Sequence, residues 1–117
     1  MREIKYQAWD TNDERMISWQ ELLDYGSGLA DYLQHPRELI FREYTGLKDL
    51  VGKEIYEGDI LSFGLWSDTQ KPCLHKIYWN DKTASFDVWD LRHNEWGGQA
   101  DAFSEVIGNI YENPRVT

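Results

Sequence analysis

The chain has 117 residues, room for one domain with one core, and a net charge of −9 from 21 acidic and 12 basic side chains. That balance argues against a protein that grips nucleic acid by its phosphates, which normally shows a basic face. A single cysteine, Cys73, excludes an intrachain disulfide and suits the cytoplasm, and neither a signal peptide nor the ~20 apolar residues of a membrane span is found.

Six Trp, seven Tyr and four Phe supply much of the apolar area. Trp and Tyr carry a polar atom that needs a partner, so many of these rings are expected half-buried, near loops or an interface. Acid is spread along the chain: Asp10, Asp13, Glu14, Glu21, Asp24 and Asp31 surround only Arg15. A solvated, solubilising surface is the simplest meaning of this pattern. A face that docks on a basic protein is the sharper one.

In chain order, Ile4 to Trp9 alternates apolar and polar residues, the period of a half-buried strand. Asp10 to Glu14 is turn chemistry, and Arg15 to Trp19 can return as its partner. Ser18-Trp19-Gln20-Glu21 has capping-box spacing, which predicts one short helix with Trp19, Leu22 and Leu23 on a face. Gly26-Ser27-Gly28 and His35-Pro36 interrupt it. Glu38 to Tyr44 is a strand with Leu39 and Phe41 opposite Ile40. Tight turns follow around Gly52 and at Glu57-Gly58, and Asp59 to Phe63 is the next strand. Trp66 to Pro72 is a polar connector. Cys73–Trp79 and Ala84–Asp90 form a hairpin through Asn80-Asp81-Lys82-Thr83. Arg92 to Ala102, with Gly97-Gly98, is expected to be a loop, and Phe103 to Tyr111 a last strand closed by Asn113-Pro114. No repeat or linker is visible. The chain is therefore expected to be a single domain over 1–117, mostly β. Six or seven short antiparallel strands would make a small SH3-like, partly open β-barrel with at most one short helix.

Three stretches are more specific than this: Arg2 to Asp10 followed by Met16, Tyr44 to Asp49 continuing through Gly52 to Ile60, and Glu105 to Pro114. In this order they resemble the YopX-like proteins of bacteriophages and prophages, and the resemblance spans the chain. It implies a β-rich, SH3-barrel-like domain encoded by a mobile element. It supplies no catalytic residue to carry over. Gly46, Gly52 and Gly58 fit turns that need positive φ, and Gly108 inside a strand suggests a bulge or a ring packed on bare backbone. Tyr44, Tyr56 and Tyr111 are candidates to surround that spot.

Chemistry-bearing patterns are sparse. Cys73 and His75 share a strand face, but a metal site wants three or four ligands. Glu57 and Asp59 form a pair that 21 carboxylates make by accident. No phosphate-binding glycine loop or serine elbow is present. No catalytic, cofactor-binding or metal residue is assigned. The sequence reading is of a cytoplasmic, phage- or prophage-derived accessory protein acting as a non-enzymatic interaction module. It would meet a protein partner, or a second copy of itself, through a surface combining Tyr44, Thr45, Lys48, Asp49, Tyr56, Glu57 and Asp59 with Trp96. The alternative is a small β-barrel that stacks single-stranded nucleic acid on Trp66, Trp79, Trp89 and Trp96, with Trp79 and Trp89 as a platform. A metal-dependent hydrolase is a minor alternative.

Overall fold

A computed structural model describes residues 3–24, 39–65, 72–100 and 104–114. Its strands fall into two antiparallel sheets that curl into half of a barrel. The first has four strands in the order β2-β1-β3-β4: β1 is Tyr6–Asp10, β2 Arg15–Ile17, β3 Leu39–Lys48 and β4 Glu54–Tyr56. The second has five in the order β8-β7-β6-β5-β9: β5 is Asp59–Leu65, β6 Pro72–Asn80, β7 Ser85–Asp90, β8 Glu95–Gln99 and β9 Glu105–Asn109. The one helix among the described residues, α1, is Trp19–Asp24. No helix there is long and apolar enough to cross a membrane.

The mostly-β half-barrel agrees with the sequence reading, while several elements differ. Among the described residues nine strands are present, not six or seven. The short β4 carries no signal in the sequence, because three residues between two glycine turns show no periodicity. Glu95–Gln99 is a strand rather than loop. Its glycines weaken it, but the cross-strand pair Trp89↔Trp96 and the pairs Asp87↔Gln99 and Val88↔Gly98 hold it to β7. The last strand is shorter than predicted, and Tyr111 lies in the turn beyond it.

The capping box forms: the Glu21 N–H donates to Ser18 Oγ at 3.1 Å and the Ser18 N–H to Glu21 Oε1 at 3.4 Å. Leu22 is buried beneath this first turn, but Leu23 is exposed, because so short a helix rests on β1 by one side only. The interruptions predicted at Gly26–Gly28 and His35-Pro36, and the connector ring Trp66, lie outside the described residues.

One turn device is used three times, a repetition the sequence reading did not see. Trp9-Asp10, Trp79-Asn80 and Trp89-Asp90 each end a strand, and the chain returns as Arg15, Ser85 and Glu95 opposite Asp10, Asn80 and Asp90. In each turn the Asp or Asn side chain accepts backbone N–H bonds ahead of it. Asp10 Oδ1 takes the Asn12 and Asp13 N–H, Asn80 Oδ1 that of Lys82, and Asp90 Oδ1 those of Arg92 and His93. Four residues on, Glu14, Ala84 and Asn94 take φ of 50°, 50° and 53°, a left-handed conformation costing a non-glycine residue about 1–2 kcal/mol.

Among the described residues there are two apolar clusters. Ala8, Ile17 and Leu22, with Tyr6, Trp19 and Leu39 against them, fill one side of β1 and β3. Ile55, Leu61, Ile77, Phe86, Val88 and Val106 form the larger core under the five-stranded sheet, with Leu47 and Ala100 packed on it. Strand β3 serves both, its first half pairing β1 and its second half β4. Between the clusters the sheets are joined by polar groups: the Leu50 N–H donates to the Ser104 carbonyl, Gly58 to Ile77 and Ile110 to Gly58.

Candidate functional site

The junction between the clusters is built on β3. Ile40, Arg42 and Tyr44 alternate onto the face they share with Gln7 and Trp9 of β1, because Gln7 pairs with Arg42 and Trp9 with Ile40. Arg42 is only 2% exposed. Its Nη2 donates to Asp59 Oδ1, and Asp59 Oδ2 accepts the Tyr56 N–H at 2.7 Å. Burial pushes the Asp59 carboxyl above its ordinary value, and the Arg42 charge and the Tyr56 N–H offset only part of that rise. Nε and Nη1 of Arg42 have no acceptor among the described residues.

Rings and cations alternate through this junction. Lys5 Nζ lies 5.2 Å from the Tyr44 ring, Tyr44 and Tyr56 are 5.5 Å apart, and Arg42 lies 5.4 Å from Tyr56 and 6.0 Å from Tyr111. Tyr111 in turn stacks on Trp9 at 6.0 Å. Lys5 also pairs with Glu54, which raises its pKa. Burial, helped by the Glu54 charge, pushes the Tyr56 hydroxyl up to about 12. A cleft of about 600 Å³ opens beside this ladder, lined by Gln7, Met16, Arg42, Lys53, Tyr56, Asn113 and neighbours.

The glycines of the motif shape the same place. Gly58 has φ of 86°, and a Cβ there would meet Tyr111 Cε2 at 3.0 Å, so the ring packs on its bare backbone. Gly46 and Gly52 also carry positive φ, both 87°. At Gly108 the predicted bulge is present, with Ile60 opposite Gly108 and Leu61 opposite Val106. The group packed against Gly108 is the Asn113 carboxamide rather than a tyrosine. Tyr56 and Tyr111 gather around Arg42 instead.

The proposed interaction surface therefore divides. Tyr44, Thr45, Asp49, Tyr56 and Asp59 are buried and bonded inside the chain, because a mixed polar-aromatic strand at a sheet junction turns its rings inward. Thr45 Oγ1 donates to the Ile55 carbonyl, and Asp49 accepts the Val51, Lys53 and Val106 N–H groups. Lys48 is exposed and Glu57 half-buried. Trp96 lies on β8 of the other sheet.

A second aromatic group sits on the outer face of β6, β7 and β8. Tyr78 meets Trp89 edge-on at 6.0 Å, and Trp89 pairs across the strands with Trp96, which is 55% exposed. The Trp96 indole N–H donates to Asp87 Oδ2 at 2.8 Å and that of Trp89 to Asn94 Oδ1 at 3.1 Å. Asp87 is fully buried. Burial alone would raise its pKa, but donors from Ser85, Asn80, Trp96 and Thr83 together hold it below the usual carboxylate range. The predicted Trp79–Trp89 platform does not form, because Trp79 pairs with Phe86 and so lies on the opposite face from Trp89.

Of the sequence candidates, Asp59 is engaged by Arg42, and Cys73 is a half-buried free thiol. One group that sequence spacing did not single out, Asp90, His93 and Glu95, brings its ligand atoms within 4.8 Å of one another. Asp90 there already caps the turn and contacts the His93 ring at 2.8 Å, so its arrangement follows from the turn itself.

A mostly-β half-barrel with a buried, ring-flanked arginine between its sheets describes the class. The YopX protein family model matches residues 5–116, and the chain belongs to that family. Its fold is similar to the crystal structure of protein EF1440 from Enterococcus faecalis, with a TM-score of 0.66 and 22% identity over 99% of each chain. No curated protein matches.

Proposed function

We propose that this YopX-family chain is a non-enzymatic interaction module of phage or prophage origin that binds a protein partner through the Tyr78–Trp89–Trp96 face. The observation that carries the reading is the state of Trp96: more than half exposed, yet fixed by its indole N–H to a buried carboxylate that three further donors, Asn80, Thr83 and Ser85, hold in place. A rigid exposed ring loses little conformational freedom on contact, which is why Trp and Tyr dominate binding hot spots. The net charge of −9 favours a protein over a nucleic acid as the partner.

A second copy of the chain is the first partner to test. Light scattering at micromolar concentration, then affinity capture from a bacterial lysate, should be run with the wild type, Trp96→Ala and the control Leu50→Ala. Leu50 is exposed on the far turn. Dimerisation or a captured protein that survives in the control and disappears with Trp96→Ala is the expected result. A monomeric wild type whose captured proteins match those of Trp96→Ala defeats the reading.

A further inference from the structure

We propose that the cleft between the two sheets binds a small oxyanion, a carboxylate or phosphate group, on the guanidinium of Arg42. This site is separate from the Trp96 face and stands without it. A guanidinium has five N–H donors in a planar fork and no acceptor, so a bonded neighbour must supply lone pairs. Asp59 takes the donor on Nη2, while Nε and Nη1 have no acceptor among the described residues, although the side chain is 2% exposed and lines the cleft. Buried polar groups are almost always hydrogen-bonded, so two idle donors on one buried cation point to a group from outside the chain.

The surroundings select the charge of that group. Each carboxylate on the cleft wall has a partner in the chain: Glu54 is held by Lys5, Asp59 by Arg42, and Glu112 accepts from the Asn109 amide. Lys53 adds a second cation to the same wall. The cleft, at about 600 Å³, is in the size range of small-molecule sites. The rings of Tyr56 and Tyr111 hold the guanidinium in place, so an oxyanion meets donors whose direction is already fixed.

Arginine side-chain Nε–H resonances give a readout on the proposed atom itself. The protein would be titrated separately with inorganic phosphate and with acetate, into the tens of millimolar, against sodium chloride of matched ionic strength. The Arg42 Nε–H signal is expected to shift saturably with one anion or both, and the two arms show which oxyanion it prefers. In Arg42→Lys, which keeps the charge and loses the planar donors, the affinity read from backbone amide shifts around the cleft should fall by about tenfold or more. Should that variant not fold, Lys53→Gln leaves the junction intact and is expected to weaken binding by about threefold. An Arg42 signal that stays still with both anions, or moves only as it does with chloride, overturns the proposal. So does an affinity, read from those amide shifts, that Lys53→Gln and Arg42→Lys both leave unchanged.

Discussion

Asp49 and Arg42 lie on or beside the same strand, both are buried, and they are treated in opposite ways. Asp49 accepts three backbone N–H groups, from Val51 and Lys53 in its own turn at 3.0 and 2.8 Å and from Val106 on β9 at 2.9 Å. It is a knot tying one sheet to the other, and nothing on it is left to offer. Arg42 has one hydrogen-bond acceptor among the described residues, Asp59, and two nitrogens with none there. A fully bonded buried charge belongs to the framework, whereas a half-bonded one beside a cleft is a place where binding energy can still be gained.

The sharpest way to break this comparison is to remove the cation. Arg42→Met leaves the Asp59 carboxylate buried and unpaired and should cost about 3–5 kcal/mol in urea unfolding. Adding Asp59→Asn removes the stranded charge while keeping an acceptor for the Tyr56 N–H, and should recover at least half of the loss. A loss below about 1 kcal/mol in the single variant would mean that Arg42 and Asp59 are not the junction described here.

Asp49→Ala comes next, at about 1–3 kcal/mol, most of it from the buried Val106 N–H, since water can reach the exposed Val51 and Lys53. The two carboxylates also differ in sign with pH. Burial is the largest single influence on each. At Asp49 three N–H groups outweigh it and lower the pKa, while at Asp59 burial prevails and raises it. The stabilising contribution of Asp49 is present above its ordinary value near 3.8 and is lost as pH falls through its lower folded value. Asp59 acts the other way, its contribution declining as pH rises from 3.8 through its raised folded value. Carboxyl carbon NMR titration should place Asp49 below and Asp59 above the ordinary range; the reverse order would remove the contrast.

How much of this was visible beforehand follows from the range of each interaction. The hairpins and the capping box rest on residues within a few positions of one another, so Ser18 with Glu21 and Asn80 to Thr83 announced them. Gly58 was legible as a turn, but the ring it accommodates comes from Tyr111, fifty-odd residues away, and no local pattern names that partner. Arg42 did leave a trace, a lone basic residue between Ile40 and Tyr44 on one strand face. No local pattern marks it as buried, because Asp59 meets it only through the curl of two sheets. The three Trp-Asp or Trp-Asn turns were there to be read, hidden by the differing residues that follow each one.

The smallest effect separates hydrogen bonding from backbone strain as the source of the contrast. Glu14, Ala84 and Asn94 carry their positive φ far in sequence from either buried charge. Ala84→Gly relieves that strain and, after the entropy a glycine loses on folding, should stabilise by about 0.5–1 kcal/mol. Asn94→Gly should gain less, because asparagine tolerates this conformation and Asn94 Oδ1 also holds the Trp89 indole. Neither change should move the titration of Asp49 or Asp59. If Ala84→Gly shifted the Asp59 midpoint, the two sheets would be coupled through the backbone, and the difference between the bonded carboxylate and the half-bonded guanidinium could no longer be assigned to their own partners.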